Sequence, residues 1–257
     1  NYIEECIRSI QAQTFTDFEI ICVDDRGQDN SYEIVKRLAK DDKRIRIIRH
    51  NRNKGLGAAR NTALKAAYGR YVVCVDSDDW ILPNCLQKVQ EAFSSTNTKT
   101  VWFKFSIYWE DENRMVATGN FPALERLKEG TITITPENII NYPVCSWNKV
   151  YNREFLLKNN LYWAENILFE DHEFYIKTMI AAPETTIIDD NLYIYRRRSD
   201  SIIGNSLNDV NKAKEIFDVM RSTYAYLKTS GNFERYKAAF IRDSHDMMNL
   251  FRYSPKT

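Results

Sequence analysis

An α/β fold, built on a parallel sheet flanked by helices and continued by a C-terminal helical extension, is what this sequence predicts. Three observations carry that expectation. Along residues 2–195, segments with helical spacing of apolar residues alternate with short apolar runs, the pattern of helices that cross over between parallel strands. Two of those runs, IICV and YVVCV, end in clustered acids. Residues 208–253 carry helical periodicity alone.

Residues 2–13 place Ile3, Ile7 and Ile10 on one helical face, and the run DFEIICVDD (17–25) is too short for a helix and reads as a buried strand. Helical spacing returns over 31–40 with Asn30 or Ser31 as N-cap, and Ile45–Arg49 is β-rich. Gly55, Gly57, Ala58 and Ala59 open a helix over 55–67, and small residues there permit close backbone approach. Tyr71–Val75 is an apolar strand that runs into Asp76-Ser77-Asp78-Asp79, followed by a helix near 83–93. Residues 100–109 alternate as a strand, and 110–135 read as a loop or hairpin. Further on, 147–160 suggest a short strand and a helix, 170–181 a helix, 185–195 one or two strands, and 208–253 two long amphipathic helices broken near Ser230-Gly231.

The chain's 36 basic and 35 acidic residues leave a formal charge of +1, without the basic excess that bulk nucleic-acid binding requires. Five cysteines are odd in number and never spaced as C-x-x-C, so a disulfide framework and a zinc knuckle are not expected and a reducing cytoplasm is. No stretch approaches the length of an apolar membrane span.

In open α/β sheets ligands sit beyond the carboxyl ends of strands, and both Asp24/Asp25 and Asp76/Asp78/Asp79 are expected on that edge. A buried strand ending in several carboxylates suffers repulsion and desolvation unless a cation sits among them. A hard divalent ion, Mg²⁺ or Mn²⁺, held by one or two carboxylates and by phosphate oxygens answers that problem. The plainer reading is a turn whose Asp side chains cap the next helix. Glu170-Asp171, at the start of a helix, could equally be acids favoured by its positive end, and Arg196, Arg197 and Arg198 a solvated basic face.

Taken in order, VDD (23–25), NKGLGAARN (53–61), VDSDD (75–79), WNKVYNREFL (147–156), FEDHEF (169–174) and YRRRSDSI (195–202) resemble the family 2 glycosyltransferases. The resemblance spans residues 1–203 and implies a GT-A fold: a Rossmann-like mixed sheet flanked by helices, forming a catalytic domain over 1–203. Residues 204–257 lie outside it and are expected as a helical extension. It implies a first strand and P-x-Y-N-like turn ahead of Asn1, so the first strand is expected to be missing here. It implies a UDP-sugar donor whose base meets Asp25, with Asp24 beside it, and whose pocket includes Arg60 and Asn61; Lys54 could meet phosphate or base beside them. Asp76 is expected near the ribose or the metal, Asp78 as direct metal ligand, and Arg196 and Arg198 as diphosphate partners. The resemblance picks Asp171 as general base for an inverting transfer, with Glu170 next in line. Trp147 and Lys149 are expected on the acceptor side, although core packing is the equal alternative for the tryptophan.

The expected activity is therefore transfer of a sugar to a hydroxyl of a glycan or lipid-linked acceptor in bacterial surface-glycan synthesis. A nucleotidyltransferase of similar topology predicts a glycine-rich nucleotide loop near the N-terminus, which the sequence lacks; a non-catalytic sugar- or nucleotide-binding module is the third reading. The C-terminal helices are expected to pack on the domain or on a second copy of the chain. Peripheral docking on the cytoplasmic face of the inner membrane is the alternative use of their apolar faces.

Overall fold

A computed structural model of the 257-residue chain describes residues 2–117, 122–198 and 210–252. Asn1, the Ser-Ile end of the YRRRSDSI motif and the expected boundary at 203/204 lie outside them.

The element order is α1 (Tyr2–Gln11), β1 (Ile20–Asp24), α2 (Ser31–Asp41), β2 (Ile45–Arg49), α3 (Leu56–Ala66), β3 (Tyr71–Val73), β4 (Trp80–Ile81) and α4 (Cys85–Ser95). It continues with β5 (Thr100–Trp109), β6 (Arg114–Val116), α5 (Pro122–Glu125), β7 (Gly130–Thr133), a 3-10 turn (Ile139–Asn141), β8 (Lys149–Asn152) and α6 (Arg153–Lys158), then α7 (Glu170–Ala181), β9 (Glu184–Arg197), α8 (Val210–Thr229) and α9 (Phe233–Arg252).

The sheet is mixed, not uniformly parallel. β1 and β2 pair in parallel, Ile20 opposite Ile45 through Asp24 opposite Arg49. A second sheet runs β3-β8-β5-β9-β4, with β6 on β5 and β7 on β9. Within it only β5 and β9 are parallel; β8, β6, β7 and β4 run against their neighbours. The antiparallel β8 and β6 both reach β5 without a crossover helix, which the helix-strand alternation alone could not reveal. The 110–135 region holds the β5-β6 hairpin, α5 and β7, and 185–195 is one long strand. The five cysteines are free. Among the described residues no helix is long and apolar enough to cross a membrane.

Among the described residues there are four apolar clusters. Ile7, Ile20, Val35, Leu38 and Ile45 close α1 and α2 over the β1-β2 pair. The main core lies between β5, β9, α4 and α7 around Trp102, Phe103, Tyr175, Met179 and Tyr193, and it takes in Leu227 from α8 and Tyr236 and Ala239 from α9. The helical extension thus packs on the domain. Leu64, Tyr151, Trp163 and Phe174 join α3 to α7, and Ile216, Val219 and Met247 cover Ile167 and Phe169 just ahead of α7.

Candidate active site

Helix α3 organises the site. Its N-cap, Gly55, sits at φ +83°, a left-handed conformation that glycine adopts without steric cost. Asp25 fixes this turn: its carboxylate accepts from Lys54 N (2.9 Å), Gly55 N (2.7 Å) and His50 Nδ1 (2.6 Å). His50 is itself held by Thr62 Oγ1 through Nε2 at 2.8 Å. Asp24 lies beside it, paired with Arg49 Nε at 2.6 Å. Gly57 serves a different need, because a Cβ there would stand 1.9 Å from Ala164 O. Asn61 secures the same approach by bonding Trp163 O (2.8 Å), Trp163 N (3.0 Å) and Glu165 Oε1 (3.0 Å).

Five residues beyond Gly55, about 7.5 Å along the helix axis, Arg60 extends a guanidinium that is only 7% exposed. Nη2 donates to Asp76 Oδ1 (3.1 Å), and Nη1 to Glu170 Oε1 (2.8 Å) and to Asp171. Three carboxylates from two distant segments therefore meet on one cation. Its Nε is buried without a partner among the described residues. Asp171 also accepts from Ser146 N (3.0 Å) and Ser146 Oγ (2.7 Å), and Trp163 Nε1 donates to that same hydroxyl (2.8 Å).

The D-x-D turn is anchored by its last acid. Asp79, buried, accepts from Tyr193 OH (2.6 Å) and Arg196 N (2.8 Å), and Asp76 N donates to the Tyr193 oxygen (3.1 Å). β9 thereby fixes the direction of Asp76 and Asp78. Asp78 is the most open of the three and pairs with Arg198 Nη2 at 3.0 Å.

Negative charge is in excess here. Asp76, Asp78, Glu170 and Asp171 face the two guanidiniums of Arg60 and Arg198. Burial, and then the Asp171 charge, push Glu170 up to about 7 despite Arg60. Burial raises Asp76 as well, against the pull of Arg60, and lifts Asp79 to about 8. A divalent cation would suit that imbalance, with Asp78 and Asp76 as the donors that could hold it. Among the described residues no three His, Cys, Asp or Glu side chains group closely enough to make a cage, so the ion's remaining positions would fall to phosphate oxygens and water.

Two expected contacts, of Lys149 and Arg196, are corrected, and of the two readings of Trp147 core packing is the one found. Lys149 is 0% exposed, its ammonium bonded to Pro143 O (2.6 Å), Cys145 O (2.7 Å) and Asn148 Oδ1 (2.8 Å), with burial lowering its pKa to about 8. It shapes the 143–148 turn from beneath and does not face an acceptor. Trp147 stacks on Tyr193 (4.6 Å) and Tyr195 (5.4 Å) with Phe105 edge-on, so core packing decides its place. Arg196 bonds Asp78 O (2.8 Å), Glu110 Oε1 (3.0 Å) and Glu5, between the rings of Tyr2, Trp80 and Tyr108; its fork is spent on protein and not presented to a diphosphate. Arg196 and Arg198 do share a face, both lying over Tyr2. Ser146, His50 and Tyr193 position the acids, and nothing in their local sequence marks them.

Comparison with known proteins agrees with this architecture. The profile described as Glycosyl transferase family 2 matches residues 1–158. The chain is 35% identical over 207 residues to "Uncharacterized glycosyltransferase EpsJ" of Bacillus subtilis, across 78% of this chain and 59% of that protein's length. Among solved structures, S. aureus TarS 1–349 in complex with UDP-GlcNAc superposes with a TM-score of 0.74 at 22% identity, covering 98% of this chain and 68% of that one. The mannosyltransferase PcManGT from Pyrobaculum calidifontis, in complex with GDP-Man and Mn²⁺, gives 0.64 at 14% identity, covering 98% and 70%. The shared architecture is the GT-A fold, and with the profile match covering more than half its length the chain belongs to glycosyl transferase family 2.

Proposed function

We propose that this chain is an inverting glycosyltransferase that moves a sugar from a UDP-sugar to an acceptor hydroxyl in bacterial glycan synthesis. The observation that carries the reading is Arg60, which joins Asp76 of the D-x-D turn to Glu170 and Asp171 at the head of α7. Acids for holding a donor and an acid for taking a proton then border one site. The UDP-GlcNAc in the TarS complex supports a uridine donor, and Mn²⁺ in the PcManGT complex supports the metal. In this reading residues 1–203 are the catalytic domain and 204–257 its extension.

Asp24, Asp25 and Lys54 border the nucleoside end, with Asp25 also holding the turn that opens α3. Asp78 and Asp76 would hold Mn²⁺ or Mg²⁺, which when bound stabilises charge on the departing diphosphate. Arg198, paired with Asp78, supplies a guanidinium whose planar fork suits phosphate oxygens. Asp171 takes the acceptor hydroxyl's proton as that oxygen attacks the anomeric carbon, and Ser146 and Arg60 fix the direction of its carboxylate. A base so placed contributes about 10²–10⁴-fold.

Turnover read as UDP release across a panel of UDP-sugars, together with calorimetry of UDP, tests the reading. Asp171→Asn is expected to keep UDP affinity and lose transfer by at least about 10²-fold. Retained turnover would reassign the base. Asp78→Ala is expected to remove the Mn²⁺ dependence of UDP binding, and an unchanged dependence would reassign the metal ligand.

A further inference from the structure

The segment that delivers Glu170 and Asp171 carries a strained backbone where it enters α7. Asn166 and Phe169 sit at φ +60° and +67°; asparagine takes that conformation readily, but for a bulky residue such as Phe169 it persists only where surrounding structure enforces it. Phe169 is the residue immediately before α7, so its backbone direction sets where both acids stand.

The C-terminal helices hold this segment from one side. Glu215 of α8 accepts from Leu168 N, the amide just before the strained residue. Ile216, Val219 and Met247 pack on Ile167 and Phe169. His172 Nε2, one residue past Asp171, meets Asp243 Oδ2 of α9 at 2.9 Å, both side chains largely buried. Ser222 Oγ of α8 donates to Glu173 Oε1 at 2.6 Å. Side chains of both helices thus grip five residues that bracket the two acids, from 167 to 173, and among the described residues neither helix makes a hydrogen bond or ion pair to the acids themselves.

We propose that α8 and α9 are a positioning brace for the carboxylates of Glu170 and Asp171, with Glu215 and Asp243 as its positioning residues; the proposal rests on the reading of Asp171 as base. The brace acts first on the geometry of proton removal and reaches the donor end, built by α3 and the D-x-D turn, indirectly through Arg60 and Asn61. Loosening it lowers turnover and spares UDP binding. A merely packed-on extension would instead alter stability, or both ends of the site together.

The test uses the full chain with Asp243→Leu, Glu215→Ala, the conservative Asp243→Asn, and Phe217→Ser as a control on the exposed side of α8. Steady-state kinetics are read beside UDP calorimetry and hydrogen exchange at the amides of 168–173 and 55–61. The expected result for Asp243→Leu and Glu215→Ala is a kcat at least tenfold lower, with KM for the UDP-sugar and UDP affinity within about twofold. Exchange is faster at 168–173 and unchanged at 55–61. Asp243→Asn, which keeps an acceptor for His172, recovers most of kcat, and Phe217→Ser matches wild type. Wild-type kcat in both folded brace variants overturns the proposal, as does a parallel loss of UDP affinity. If Asp243→Leu does not fold, Glu215→Ala decides alone. Turnover retained in Asp171→Asn defeats the base assignment, whereas faster exchange at 168–173 in the brace variants establishes the mechanical link independently of it.

Discussion

Arg60 shows how a single buried cation can define a site. Its guanidinium presents donors in a fixed planar fork, so it can hold Asp76, Glu170 and Asp171 in defined directions at once. Lysine offers a point charge without that fork, so Arg60→Lys is expected to cut kcat by more than tenfold while the fold survives; unchanged kcat in the purified variant would show that the fork is dispensable. The acids themselves were legible in the sequence, because carboxylates at a strand end and at a helix start invite a chemical question. Their meeting point was not, since Arg60 and Asp171 are 111 positions apart. Lys149 and Arg196 misled for a related reason. Charged residues are almost never fully buried unless paired, and only coordinates reveal the three acceptors that each has found inside the protein.

At the scale of elements, α3 works because two of its small residues allow two different close approaches. Gly55 supplies a positive φ for the turn on Asp25, and Gly57 leaves room for Ala164 O. Gly57→Ala is therefore expected to force the 163–165 segment away from α3 and to destabilise the protein by about 1–3 kcal/mol, the usual cost of overpacking. A thermal melt checks this, and an unchanged midpoint would contradict it. The small-residue opening of α3 was legible in the sequence, and so were the longer helices, whose periods repeat several times. The short strands β4, β6 and β7, of two to four residues, are too brief to establish a period, and they exist because a long neighbour, β5 or β9, offers them an edge. The turn at Asp79 shows the same dependence: Tyr193, which holds it from β9, lies 114 positions away.

Across the whole molecule, buried acids make stability depend on pH in a predictable direction. Glu170 and Asp243 are raised to about 7 and Asp79 to about 8, chiefly by burial. Between about pH 6.5 and 8 the folded chain releases protons that the unfolded chain has already lost. Stability contributed by these groups is complete below their ordinary values near 4 and is lost as pH rises through the folded ones. His172, lowered to about 4 by burial, gives up its contribution only as pH falls below about 6.5, and Lys149, lowered to about 8, adds its own only above that value. The metal-free protein is thus expected to lose on the order of 1–3 kcal/mol from pH 6.5 to 8, seen as a falling melting midpoint, with Glu170→Gln flattening the slope. A midpoint that rises across this range would contradict the charge balance described for the site.

That balance is also the basis of the central claim, that acids far apart along the chain border one site for a metal and a nucleotide diphosphate. Anomalous diffraction at the manganese edge, from crystals grown with UDP and Mn²⁺, tests it most directly. The expected result is a single strong peak within coordination distance of Asp78, with the diphosphate on the same side as Arg198. A peak bound elsewhere, or UDP ordered on another face with no manganese near Asp76 or Asp78, would contradict it.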